Sequence, residues 1–428
     1  MSEPAHVPAQ IGLAPVVPTT TEEVTKKVGV GFLVLFGLAN FGLYLTVLMP
    51  ALFSLPYKIG LIAPEGKVGA LSVVSTIGAV VAIIAGPVAG VLSDRTRNRF
   101  GRRRTWFVIG VVVLAFGSTA VATAGSLAVL AFGWGIVSLG GAATAAAISP
   151  LVAERIPTAQ RGTAGAIVGV ATQLAGVAGY SIGGALTSSV LLLFLVPVVA
   201  FAVLGALFMF LLPEAKVELE PMSIRASFRQ MFFDPRKHRD FTILWVGKFL
   251  MQTALTFLST YQLYFLLDRL GFTAETAGSR LALVGGLGIL VTMTFAVGSG
   301  IISDRLQRRR LFILLAGVLT LVGMVIMAFA SGFGLFVAAV LVIVGAAGMF
   351  GSVDVALASD LIPEPARAGK WMTTYNVASG VATAVAPLAG ALLLAIGGGG
   401  ANYTALFLAG AVVAVLAGVL TTAIRQVR

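Results

Sequence analysis

The sequence contains no cysteine and only two histidines, His6 and His238. Without thiols there are no disulfides, no thiolate nucleophile and no zinc–thiolate site. Both histidines lie outside the long apolar runs, so no histidine metal cluster or histidine-based triad can be built within those runs. Charge is also scarce. Asp, Glu, Lys and Arg make up 11% of the 428 residues, against roughly 25% in an average soluble domain. No G-x-x-x-x-G-K-[ST] loop and no H-E-x-x-H motif occurs, which excludes a nucleotide-driven pump and a zinc hydrolase. No metal and no cofactor is expected. Hydrophobic residues reach 58%, before 51 glycines are counted. A water-soluble fold of this length cannot cover itself with so few polar groups, so a soluble enzyme is excluded.

What is present is a succession of apolar segments. A helix crossing the ~30 Å hydrocarbon layer needs about 20 mostly apolar residues. Breaks at charge clusters, proline and glycine leave twelve such segments, at 29–54, 66–93, 104–124, 127–153, 161–187, 189–212, 241–267, 274–303, 310–330, 333–359, 368–396 and 401–424. The runs are continuous rather than alternating, which disfavours a β-barrel. The expected fold is an all-α membrane protein of twelve transmembrane helices. Residues 1–28, with Pro4, Pro8, Pro15 and Pro18 and no apolar core, are expected to form a disordered cytoplasmic tail rather than a signal peptide.

The charges support this map. When loops are assigned alternately to two sides, the tail's side holds twenty-four lysines and arginines and the other side only Lys58, Lys67, Arg269 and Arg280. Such a bias places both termini in the cytoplasm. The excess of +12 is then explained by topology and anionic lipid contact, not by nucleic acid.

The chain also repeats itself. Gly90-Val91-Leu92-Ser93-Asp94-Arg95 recurs as Gly300-Ile301-Ile302-Ser303-Asp304-Arg305. Arg102-Arg103-Arg104 recurs as Arg308-Arg309-Arg310, and Glu154, Pro157 and Arg161 recur as Asp360, Pro363 and Arg367. The organisation is therefore two six-helix repeats, 29–212 and 241–424, joined by a cytoplasmic connector at 213–240, with a short cytoplasmic tail at 425–428. Parallel repeats of this kind mark secondary transporters with a solute site near the midplane.

The stretch from Gly90 to Arg104, including Gly101, resembles the loop signature of the major facilitator superfamily. Ser93-Asp94-Arg95-Thr96-Arg97 followed by Arg99-Phe100-Gly101-Arg102-Arg103-Arg104 is similar to the version in glycoside–pentoside–hexuronide:cation symporters and sucrose-transporter-like proteins. One departure from that group is that spans one to three carry no acidic residue before Asp94, which argues against a sodium site of the melibiose-carrier kind. The resemblance implies that Asp94, Glu154, Arg95, Arg102, Arg103 and Arg161, with Asp304, Asp360, Arg367 and the arginines from Arg305 to Arg310 in the second repeat, latch the cytoplasmic side in an outward-open state. A carboxylate at a helix end paired with arginines suits that role. A solvated basic loop is the alternative. Gly90, continuing Gly86, is expected to let a neighbouring helix approach closely, and the glycines of span five to form a bare face for tight or sliding contact.

Polar side chains in a bilayer are costly and need a reason. Span seven carries Lys248, Gln252, Thr256, Ser259 and Gln262, which fall within an arc of about 120° at ~100° per residue. Asn40 and Tyr44 share a face of span one, and Gln173 and Tyr180 a face of span five. Tyr375 and Asn376 lie in span eleven. The resemblance implies that spans one, four, seven and ten line the cavity. Asn40, Tyr44, Gln173, Tyr180, Gln252, Thr256, Ser259, Tyr375 and Asn376 are thus the candidate solute-binding residues. Interhelical hydrogen bonds are the alternative for each. Carboxamides and hydroxyls both donate and accept, as polyols require.

Asp354 is the carboxylate well inside a span, and Lys248 the cation. An isolated charge there is unfavourable, so the two are expected to pair. They are also expected to couple transport to a proton when the pair separates, against the alternative of a static structural pair. The expected function is a secondary transporter of a small polar solute, a sugar or glycoside being favoured, working by alternating access in the cytoplasmic membrane as a monomer in the lipid bilayer. A facilitator, or an exporter of another metabolite, drug or lipid, is the alternative.

Overall fold

The structure is a computed structural model. It describes residues 27–211, 223–364, 367–397 and 401–424. The expected tail at 1–26, part of the connector and residues 425–428 lie outside the described residues.

Among the described residues twelve helices are long and apolar enough to cross a membrane: α1 Val30–Ile62, α2 Lys67–Arg95, α3 Arg102–Thr123, α4 Leu127–Ile148, α5 Thr158–Ala185, α6 Val190–Phe210, α7 Arg239–Asp268, α8 Ala274–Leu306, α9 Arg309–Ala328, α10 Phe333–Asp360, α11 Ala368–Leu394 and α12 Tyr403–Thr422. In lipid every backbone group must be satisfied within the segment, which selects helix over open sheet. Among the described residues no strand occurs. Side-chain caps start three of the helices that begin opposite the arginine loops: Ser126 accepts from Val129 N–H, Thr273 from Thr276 N–H and Asn402 from Ala405 N–H.

Three departures from the sequence map have local causes. The first helix does not stop at 54. A π turn at Pro50–Ser54 absorbs Pro50, and the helix continues to Ile62, so Lys58 is helical rather than in a loop. The fourth helix stops at Ile148, because Ser149-Pro150 interrupts it, and a short helix Leu151–Arg155 carries Glu154. The tail's end is anchored, since Val28 N–H donates to Gln160 Oε1 at 2.8 Å.

Within each half the helices pack through small residues. A Cβ on Gly140 would lie 2.7 Å from Leu114 N, and one on Gly317 would lie 2.7 Å from Ala414 O. The expectation for Gly90 is corrected. A Cβ at Gly86 or Gly90 would meet nothing within 4 Å, and both glycines line a cavity of about 480 Å³ between α1, α2, α3 and α4. The gap exists because Ala82, Ala142, Ala145 and Ala146 around it are also too small to close it.

The halves meet along α2–α11 and α5–α8. Their contact is tightest at the face away from the arginine loops, where a Cβ on Gly278 would sit 2.5 Å from Gly184 Cα. Hydrogen bonds cross between the halves there: Thr76 donates to Ala384 O at 2.7 Å, and Tyr264 donates to Pro56 O at 2.9 Å. Toward the arginine face, beyond the Ile83–Gly380 contact, α2 and α11 diverge around a cavity of about 440 Å³. Ser227 and Met231 of the connector close its side. The bundle is a V, shut at the far face and parted at the arginine face.

Candidate functional site

One polar cluster lies inside the membrane-spanning part of the second half. Lys248 projects from α7, more than two turns past Arg239. Its Nζ is 3.4 Å from Asp354 Oδ2 on α10 and 3.9 Å from the centroid of the Tyr375 ring on α11. It also donates to Asn376 Oδ1 at 3.3 Å. The Tyr375 hydroxyl donates to the other oxygen of Asp354. The carboxylate is 2% exposed, so its charge is met by protein groups rather than water, as burial requires. Asn376 connects this cluster to the cavity between α2 and α11, whose opposite wall is Ile83 and Pro87.

A second chamber of about 350 Å³ lies between α1, α5, α7, α8 and α10. Gln173, Tyr180, Ser259 and Gln262 line it among aliphatic side chains. At one end Gln262 donates to the Tyr180 hydroxyl, joining α7 to α5 across the halves. Several expected binding residues, Ser259 among them, turn to their own helices. Asn40 is buried and donates to Phe36 O at 2.8 Å, Thr256 donates to Gln252 O at 2.7 Å, and Ser259 donates to Thr256 O at 3.3 Å. Polar side chains in apolar surroundings satisfy themselves on the nearest carbonyl when no partner faces them. Tyr44 and Gln252 are partly buried.

The repeated loop motifs form one charged cluster per half. In the first, Arg103 reaches Asp94 at 2.9 Å and Glu154 at 2.5 Å, and Arg102 reaches Glu154 at 2.7 Å. Gly101, at φ 89°, makes the turn that starts α3 and places both arginines. In the second, Arg309 reaches Asp360 at 2.7 Å and Asp304 at 3.5 Å. Arg305 is exposed, and Arg367 pairs with Glu364 at 3.3 Å. These ion pairs bind helices within a half, with the arginine face parted. In the repeat register Arg309 holds the position of Arg103.

Sequence reasoning missed a cluster at the far face. Lys67 at the start of α2 pairs with Asp268 at the end of α7 at 2.5 Å, and Tyr403 donates to the second Asp268 oxygen at 2.8 Å. The available signal was the pairing of opposite charges at equal depth, on spans whose ends share a face.

A family model described as Major Facilitator Superfamily matches residues 29–298 and 286–428. The chain belongs to the major facilitator superfamily. It is therefore a multi-pass membrane transporter and not an enzyme. Solved superfamily structures share its fold. The nucleoside transporter NupG superposes with a TM-score of 0.70 at 13% identity, covering 92% of this chain and 98% of that one. The human organic anion transporter MFSD10 gives 0.65 at 17%, covering 91% and 98%. A D-xylose-proton symporter gives 0.64 at 18%, covering 92% and 98%. No curated protein sequence matches the chain significantly.

Proposed function

We propose that this superfamily member moves a small solute bearing polar groups across the cytoplasmic membrane by alternating access, driven by protons, with both termini in the cytoplasm. The observation that carries this reading is the buried Lys248–Asp354 pair beside a cavity that parts the two halves. An ion pair in a low-dielectric wall costs desolvation and is stable only while both partners stay together. When the pair separates, the carboxylate is left unpaired and a proton neutralises it. The coupling residue is then Asp354, and Lys248 is its counter-ion. A sugar or glycoside is the solute favoured by the Gly90–Arg104 loop, and the D-xylose-proton symporter of the same fold is in keeping with it.

The test uses proteoliposomes holding the full chain under an inward acid gradient, with a panel of radiolabelled sugars, glycosides and sugar acids. Wild type should accumulate a solute and lose the accumulation to a protonophore. Asp354→Asn should still exchange that solute across the membrane but no longer concentrate it. Accumulation by the variant equal to wild type would assign coupling elsewhere. Tags at both termini and in 223–231 should be reached only from the cytoplasm.

A further inference from the structure

We infer that the transported solute carries one carboxylate, which Lys248 receives as Asp354 takes up a proton. This rests on the alternating-access reading and adds the substrate class. The starting point is the inventory of the walls. A neutral polyol needs many unspent donors and acceptors. Asn40, Thr256 and Ser259 give their donors to carbonyls of their own helices. Tyr180 and Gln262 bind one another across the halves. Tyr375 is held by Asp354. The charged group beside these neutral side chains is the ammonium of Lys248, which donates to Asn376 on the wall of the 440 Å³ cavity. That volume suits a small organic molecule. Its opposite wall, Ile83 and Pro87 from α2, is apolar. The chamber therefore offers the Asn376 carboxamide on one side, with the Lys248 ammonium directly behind it, and hydrocarbon on the other.

Charge bookkeeping supports the same class. With the chamber empty, Lys248 and Asp354 pair and the site is neutral. When a carboxylate arrives it takes the place of Asp354 on Nζ, and Asp354 binds one proton from the side of entry. The loaded site holds an ammonium, the solute carboxylate and a neutral acid, so it is neutral again. When the solute leaves, Asp354 returns its proton and pairs once more with Lys248. The O–H bond made on Asp354 and broken again is the sole covalent change. Both forms that reorient are uncharged, which avoids moving a bare charge through the low-dielectric bundle. A neutral solute carried with a proton would move one positive charge per cycle. The ionisable groups acting on Asp354 are Lys248 from α7 and Tyr375 from α11.

The experiment titrates the purified full chain with matched pairs, D-glucuronate against D-glucose and benzoate against benzamide. At least one carboxylate should bind at millimolar concentration or tighter while its neutral twin binds at least about ten-fold more weakly. Its affinity should fall about ten-fold for each unit of rising pH, as uptake of one proton on binding demands. Lys248→Gln should abolish this binding. Asp354→Asn should keep it and lose the pH slope, which tests the proposal even if the lysine variant misfolds. No carboxylate binding, equal binding of a neutral twin, or a pH-independent wild type would each overturn the assignment. In proteoliposomes the bound carboxylate should be taken up with a proton and without current. Inward positive current with a neutral solute would overturn the carboxylate while sustaining proton-driven transport. Proton-linked carboxylate binding with no solute crossing would instead end the transport reading alone.

Discussion

Lys67 and Asp268 join the two six-helix halves by an ion pair of 2.5 Å at the face opposite the arginine loops. The pair must break if that face is to open. Both side chains keep about a quarter of their surface in solvent, so the contact is worth about 1 kcal/mol or less. Asp268→Asn should therefore raise the outward-open population by a few-fold rather than lock it. A membrane-impermeant maleimide applied from outside to a lone cysteine at Leu52→Cys would report this as faster labelling. The absence of native cysteine leaves no background. Unchanged labelling would remove Lys67 and Asp268 from the closure.

Gly184 and Gly278 close the same face by shape rather than charge. A Cβ on Gly278 would lie 2.5 Å from Gly184 Cα and 2.8 Å from Tyr180 O, and backbone cannot yield as a flexible side chain can. Gly278→Val should exclude the observed conformation and slow turnover at least ten-fold, the equivalent of about 1.4 kcal/mol. The same Leu52→Cys reporter should become open to the outside. Wild-type turnover in this variant would show that α5 and α8 separate freely here.

The two arginine clusters match in register but not in burial. The Arg103 side chain is 3% exposed and its partner Glu154 12%, whereas Asp304 is 65% exposed beside Arg309. Removing one partner of a buried pair costs about 3–5 kcal/mol, and a solvent-exposed pair is worth about 0–1 kcal/mol. Arg103→Gln should lower the melting temperature in detergent markedly, and Arg309→Gln should barely move it. Equal shifts would mean that Glu154 and Asp94 are wetter than their positions indicate.

Much of this arrangement was legible in the residues. Apolar run length and the breaks between runs placed twelve helices, because a span must satisfy its own backbone. The two-hundred-residue repeat located Asp94, Glu154, Asp304 and Asp360, and an isolated acid and cation inside spans anticipated the Lys248–Asp354 pair. Other features were not legible, for physical reasons. Periodicity tells which face of α7 is polar but not whether Thr256 looks at a cavity or at the carbonyl of Gln252. Small residues announce close approach, yet Gly140 touches its neighbour and Gly90 faces a void. That difference depends on the size of every side chain around it. The Lys67–Asp268 contact joins residues two hundred positions apart, and only the docking of the two halves creates it.

Span five carries glycines along its whole length, and only those near the far face, such as Gly179 and Gly183, are filled by neighbours. A Cβ at Gly162 or Gly169 would meet nothing within 4 Å, although both lie by helical period on the side of α5 that carries Gln173. Vacant glycine in a helix is a standing expense in backbone entropy, about 1 kcal/mol relative to alanine. Such an expense makes sense if another conformation occupies the space. Gly162→Leu should then raise the melting temperature while halting the cycle, because the leucine is tolerated only in the arrangement seen here. A variant that is both sturdier and inactive would serve as a mould for raising conformation-specific binders, with the Lys248 chamber left in its native chemistry. If Gly162→Leu cycles normally, the bare stretch of α5 is never covered.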